Sequence, residues 1–186
     1  THILGYVGRI NDRDVERLKK EEKFANYSGS TDMGKLGIER YYEEQLHGTT
    51  GFEEVEINNR GKVIRKLREQ PATAGKSIHL TIDLALQRYI MSLLSGQKGA
   101  VVVLDPKDNS VLAMVSTPSY DNNLFVDGIS ASDYKRLLND PARPLYSRAT
   151  QGVYPPASTV KPFVAVAALT EGVITLHTTI FDPGYW

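Results

Sequence analysis

Residues 1–75 spread their apolar positions thinly among charges, glycines and asparagines, and beyond residue 75 the chain becomes more apolar, with short unbroken runs. In the first stretch Asn11 stands where it can cap a helix beginning at Asp12, with Val15 and Leu18 on one face and Lys19-Lys20 near its end. Residues 25–34 read as loop. Ile38, Tyr41, Tyr42 and Leu46 recur at helical spacing and predict a second helix, with Gly48 as its left-handed C-terminal cap. Residues 54–58 alternate through Val55 and Ile57, and residues 62–67 follow; the pattern predicts two strands joined by Asn58-Asn59-Arg60-Gly61. His47 and the Glu43-Glu44 pair read as a solvated helix face, since no second cluster accompanies them as metal ligands would require.

Pro71-Ala72-Thr73-Ala74-Gly75 is small and turn-rich, and it places a domain boundary between residues 1–75 and 76–186. After it, residues 77–82 alternate as a strand and Asp83 can cap a helix over 84–94. The β-branched run at 99–104 predicts a buried strand, Asp105-Pro106-Lys107-Asp108-Asn109 a turn, and 111–115 the returning strand. Residues 117–123 read as loop, 131–138 as a short helix and 140–144 as irregular chain. This order predicts an α+β (or α/β) arrangement, an antiparallel sheet carrying buried helices.

Composition narrows the class. The 186 residues carry 22 basic and 22 acidic side chains, which argues against a dedicated nucleic-acid binder. There is no cysteine, so disulfides and cysteine–zinc sites are excluded. No run approaches the ~18 apolar residues of a membrane span, and no signal peptide opens the chain. The start at Thr1 and the end at Trp186, after Phe181-Asp182-Pro183-Gly184, read as an excerpt of a longer protein.

The candidate chemistry lies in Ser158-Thr159-Val160-Lys161, preceded by Tyr154-Pro155-Pro156-Ala157. A serine and a lysine three residues apart share a helix face, so hydroxyl and amine can meet. Serine attacks only when an adjacent base takes its proton, and a lysine serves once desolvation or a neighbouring cation frees part of its amine. The competing reading is a helix start, with Ser158 as N-cap and Lys161 as a solvated first-turn residue. Pro155 and Pro156 keep the helix from beginning before Ala157. The following Phe163-Val164-Ala165-Val166-Ala167-Ala168-Leu169 is apolar nearly all round, which predicts a helix buried on every side. Asp105 and Asp121 read as turn formers, Tyr120 and Tyr146 as core or rim residues.

Several of these segments together resemble the class B penicillin-binding proteins, the bacterial D,D-transpeptidases. They are Gly37-Ile38-Glu39, Leu46-x-Gly48-x-x-Gly51, Leu80-Thr81-Ile82-Asp83 with Leu86-Gln87, and the run from Ala100 to Pro106. The run from Val111 to Asp121, Arg148-Ala149 and the Ser-x-x-Lys motif complete the set. Asn123 to Ser130 and Tyr154-Pro155-Pro156 are similar to the elongation-specific subgroup of Gram-negative rods. The resemblance implies that residues 1–75 are part of a non-catalytic pedestal and 76–186 the first part of the transpeptidase domain. It implies Ser158 as the acylated nucleophile, Lys161 as proton relay, peptidoglycan stem peptides as substrate and β-lactams as inhibitors. It further implies a single-pass membrane anchor in the parent protein, the periplasmic side of the inner membrane as location, and a membrane glycosyltransferase and scaffold proteins of the elongation complex as partners.

No cofactor is required for that chemistry. The resemblance does imply that Asp182 would join later Asp, His and Cys residues around a zinc ion; a plain Asp-Pro-Gly turn is the alternative. The family usually has glycine before the nucleophile, where this chain has Ala157. A positive φ there would strain the methyl; the favoured reading is a negative φ, which tolerates it. The family's Ser-x-Asn and Lys-Thr-Gly motifs have no counterpart in these residues, so the chain alone is expected to be inactive. Two rival functions remain open: a serine β-lactamase or β-lactam sensor built on the same motif, and a docking module of a cell-wall synthesis complex, the role favoured for residues 1–75.

Overall fold

The structure, a computed structural model, describes residues 1–184. They form two units, residues 1–151 and the segment from Gly152 onward. The first contains β1 (Val7–Arg9), α1 (Asp12–Lys20), α2 (Phe24–Tyr27), β2 (Asp32–Gly34), α3 (Gly37–Tyr41) and α4 (Glu43–His47). The hairpin β3 (Phe52–Ile57) and β4 (Val63–Gln70) follows, then α5 (Leu84–Leu93), β5 (Gly99–Leu104), β6 (Val111–Thr117), α6 (Ala131–Asn139) and α7 (Arg148–Gln151). The strands pair antiparallel in three two-stranded sheets, β1–β2, β3–β4 and β5–β6. The α+β class holds; the single sheet expected is three separate ribbons.

Local signals account for the elements that form. The Asn11 side chain accepts the Asp14 N–H at 3.0 Å and the Asp14 carboxylate accepts the Asn11 N–H at 3.0 Å, a reciprocal cap that starts α1 where predicted. Asp83 caps α5 through the Leu86 N–H at 2.9 Å, and Ser130 caps α6 through that of Asp133 at 3.0 Å. The hairpin turn closes on the Asn58 side chain, which accepts the N–H groups of Arg60 and Lys62 at 2.9 and 3.0 Å.

Several expectations are corrected. The loop at 25–34 contains α2 and β2, because Met33 is buried with Leu18 and Tyr27 and draws the segment into pairing with β1. The helix over 37–47 breaks at Tyr42 into α3 and α4, leaving Tyr41 81% exposed rather than in the core. Gly48 has a positive φ of 76°, but its ψ of −151° lies outside the left-handed helical region. Residues 77–82 form no strand: the Thr81 hydroxyl donates to the Val111 carbonyl at 2.7 Å and the Asp83 N–H to the Leu112 carbonyl at 2.9 Å, contacts made without a ladder. The strand at 99–104 is covered on one face only, where Val101 and Val103 pack with Ile90, Ala113 and Val115; Val102 and Leu104 face outward. His47 is half-buried, stacked on Tyr27 at 4.1 Å and hydrogen-bonded to the Ser30 hydroxyl at 2.7 Å, so it pins a turn.

Residues from both sides of the 71–75 segment pack together in the first unit. Tyr6 stacks on Phe125 at 4.1 Å, the Thr1 hydroxyl donates to the Tyr120 carbonyl at 2.8 Å, and the Asn122 amide donates to the Gly5 carbonyl at 2.9 Å. The apolar cluster of Tyr120, Phe125 and Leu137, with Tyr6 against it, is their common core.

Candidate active site

In the second unit the chain passes Pro155 and Pro156 and turns into a 3₁₀ segment at Ala157–Val160, continued by α8 (Lys161–Thr170). The start at Ala157 is where the prolines predict it. The Thr159 N–H donates to the Pro156 carbonyl at 3.1 Å and the Lys161 N–H to the Ser158 carbonyl. A 3₁₀ turn has three residues, so positions i and i+3 eclipse. Ser158 and Lys161 therefore stand one above the other at the junction of the two helices.

Ser158 is not an N-cap. The capping positions are Pro156 for the 3₁₀ segment and Val160 for α8, and neither has a side-chain capping bond. The Thr159 hydroxyl, not that of Ser158, bonds the Pro156 carbonyl. Among the described residues no hydrogen bond joins the Ser158 hydroxyl to the Lys161 amine, and both residues are exposed. Pro162 sits in the first turn of α8, where a missing N–H costs nothing. Glu171 and Gly172 end the helix, with Gly172 at φ 69° and the Val173 N–H returning to the Ala168 carbonyl at 2.9 Å.

Two expectations are overturned here. Ala157 has φ 46°, so its methyl sits in the left-handed region and the negative φ is not adopted. An L-residue with a Cβ pays roughly 1–2 kcal/mol there. The expectation of a helix buried on every side also fails: α8 has no buried residue, with Phe163 75% and Val166 63% exposed. The physical reason is that the described residues of this unit contain no strand and, beyond the 3₁₀ turn, no further helix to cover an all-round apolar surface.

The remaining candidates make the following contacts. The Asp182 carboxylate accepts the Gly184 N–H at 2.7 Å, a side-chain-closed turn. Among the described residues no group of three His, Cys, Asp or Glu could hold a metal ion. Asp105 accepts the Lys107 N–H and Asp121 that of Asn123, each at 2.9 Å, as turn formers do. Tyr120 is buried, and the Tyr146 hydroxyl donates to the Gln151 carbonyl at 2.6 Å.

Arg148, a residue of the resemblance alone in the sequence, is a staple in the structure. Its N–H donates to the Ser116 hydroxyl at 2.8 Å, and its guanidinium bonds the carbonyls of Ala142 and Arg143 at 2.5 and 3.3 Å.

The fold of the described residues is that of a penicillin-binding protein. Residues 99–186 match the penicillin binding protein transpeptidase domain and residues 1–80 the penicillin-binding protein dimerisation domain, and the chain belongs to this family. It is 84% identical over 185 residues to the peptidoglycan D,D-transpeptidase MrdA of Haemophilus influenzae, covering 100% of this chain and 28% of that protein. The crystal structure of Pseudomonas aeruginosa PBP2 in complex with WCK 5153 is 46% identical with a TM-score of 0.83, covering 100% of this chain and 36% of that one. The complex between PBP2 and MreC from Helicobacter pylori is 31% identical with a TM-score of 0.83, covering 96% and 32%. The chain thus spans less than a third of the length of the curated relative.

Proposed function

We propose that this chain carries the nucleophile of a peptidoglycan D,D-transpeptidase, with Ser158 and Lys161 as its catalytic pair. The eclipsed placement of these two residues in a 3₁₀ turn, in a chain so similar to a D,D-transpeptidase, is the observation that supports the reading. Lys161 accepts the Ser158 proton as the oxygen attacks the penultimate D-Ala carbonyl of a stem peptide. The tetrahedral centre collapses, its C–N bond breaks, and terminal D-Ala leaves with the proton returned by Lys161. An amine of a neighbouring stem then attacks the ester; its proton passes through Lys161 to Ser158 as the cross-link forms. The Ser158 N–H, at the first turn, is suited to steady the oxyanion. β-Lactams acylate the same oxygen.

Residues 1–75 act as a pedestal for partners of the elongation machinery, and residues 76–186 open the transpeptidase domain. The PBP2–MreC complex shows that a similar protein binds a partner. Such proteins act in cell-wall synthesis outside the cytoplasm, and we place this one on the periplasmic side of the inner membrane, held by an anchor. Among the described residues no helix is long and apolar enough to cross a membrane.

Because Ser158 and Lys161 are open to water in this chain, the 186 residues alone should not react. A fluorescent penicillin, applied to the full-length protein and to this chain, should label Ser158 slowly and stably in the former only, as peptide mapping would show. Rapid drug turnover by the full-length protein would indicate a β-lactamase, and absence of label on folded full-length protein would sink the transpeptidase reading.

A further inference from the structure

The first unit holds a concentration of positive charge that the acylation chemistry does not use. A cavity of about 290 Å³ between α1 and the β2–α3 connection is walled by Arg13, Arg17, Lys35 and Arg40, against a single carboxylate, that of Asp14. The whole chain is neutral, so this is a local excess. Asp14 is already engaged: it bonds the Asn11 N–H, carries the Lys35 ammonium, and lies 3.5 Å from the Arg17 guanidinium. Arg13 and Arg40, both exposed, form no ion pair among the described residues. Two free guanidinium groups thus border one cavity whose only acid is spoken for.

The backbone around the cavity is held in place. The reciprocal Asn11–Asp14 cap fixes the start of α1, and Leu18 anchors its other face in a core with Tyr27 and Met33. The backbone of Gly34, which also lines the cavity, is held by the Glu43 carboxylate at 2.7 Å. A backbone that does not have to be ordered on binding lowers the entropy lost on association. Beside Arg40 stands Tyr41, 81% exposed; exposed Arg and Tyr together are the residue types that dominate protein–protein contacts.

We propose that this groove docks an acidic peptide segment of a partner protein, its carboxylates on Arg13 and Arg40 and its backbone alongside Tyr41. A peptide is favoured over an anionic bilayer by the adjoining cavity of about 240 Å³, which shares Arg17, Gly34 and Arg40. Glu21, Glu43 and Glu44 wall that second cavity, with Lys23 bound to Glu21 and Glu44. A flat anionic surface pressed against the groove would meet those acids, whereas a peptide can set its carboxylates at the basic end alone.

The test is fluorescence anisotropy of this chain with a labelled peptide of alternating Glu and Gly, at low salt and at about 0.3 M, where exposed charges are largely screened. Binding should weaken with salt. Arg13→Glu and Arg40→Glu should each weaken it by about tenfold, and Tyr41→Ala should weaken it with an unchanged salt slope. Arg60→Glu, in the β3–β4 turn, should leave it unaltered. Circular dichroism confirms that each variant is folded. No binding by the native chain overturns the proposal. So does equal loss with Arg60→Glu, or insensitivity to the two groove reversals. Sedimentation with phosphatidylglycerol vesicles, lost on groove reversal, would assign the site to lipid and equally overturn it. Penicillin labelling of Ser158 is a separate readout, so the two proposals fail independently.

Discussion

Gln87 on α5 holds both polar groups of the Met114 backbone on β6: its amide donates to the Met114 carbonyl and its oxygen accepts the Met114 N–H, each at 2.8 Å. A helix side chain here stands in for a third strand, satisfying an edge of the β5–β6 ribbon that would otherwise be left bare. Gln87→Ala should leave two half-buried backbone groups without partners and destabilise the chain by about 1–3 kcal/mol. Gln87→Glu keeps the acceptor but loses the donor, so it should fall between the two in urea unfolding. Identical midpoints for all three proteins would refute this role.

Asp14 and Lys35 predict an acid limb of stability. Burial alone would raise the Asp14 carboxyl, but the Lys35 hydrogen bond, the Asn11 N–H and the Lys35 and Arg17 charges together hold it below its usual value. A carboxyl lowered in the fold contributes stability above its unfolded pKa, about 3.9, and loses it as pH falls through the folded pKa. Thermal unfolding from pH 6 down to pH 2 should therefore show a decline below about pH 4. Asp14→Asn should flatten that decline and cost about 1 kcal/mol at neutral pH.

Gly48 is confined by its neighbours. A Cβ there would lie 2.3 Å from the Thr73 carbonyl oxygen, and φ 76° disfavours any side chain. The same approach allows the Thr49–Thr73 bridge, whose two hydrogen bonds are each 2.9 Å. Gly48→Ala should destabilise the first unit by roughly 2 kcal/mol or more, through strain that cannot relax without breaking the bridge. Faster hydrogen exchange at Thr49 and Thr73 would report that loss; unchanged protection would count against it.

Ala157 offers the reverse experiment. With φ 46° it carries strain immediately before Ser158. Ala157→Gly should relieve about 0.5–1 kcal/mol after the extra entropy of glycine in the unfolded chain is counted. In the full-length protein the penicillin acylation rate should rise or hold. A clear fall would show that the strained alanine orients the hydroxyl productively.

Much of the local architecture was written into short-range chemistry. Asn11, Asp83 and the Asn58–Gly61 turn start or close elements through bonds between residues two to four positions apart, and such contacts need nothing from the rest of the fold. The backbone bond from the Lys161 N–H to the Ser158 carbonyl belongs to the same kind, because it closes within three residues. Tertiary structure decided what depends on distant partners. It formed β2 through Met33, split the helix at Tyr42, stacked His47 on Tyr27, and used Gln87 in place of a strand. Burial followed the same division. An apolar run such as that of α8 declares only that a helix seeks cover, and cover is a property of whatever else the fold brings to it. The φ of 46° at Ala157 is likewise a value that residue type alone argues against.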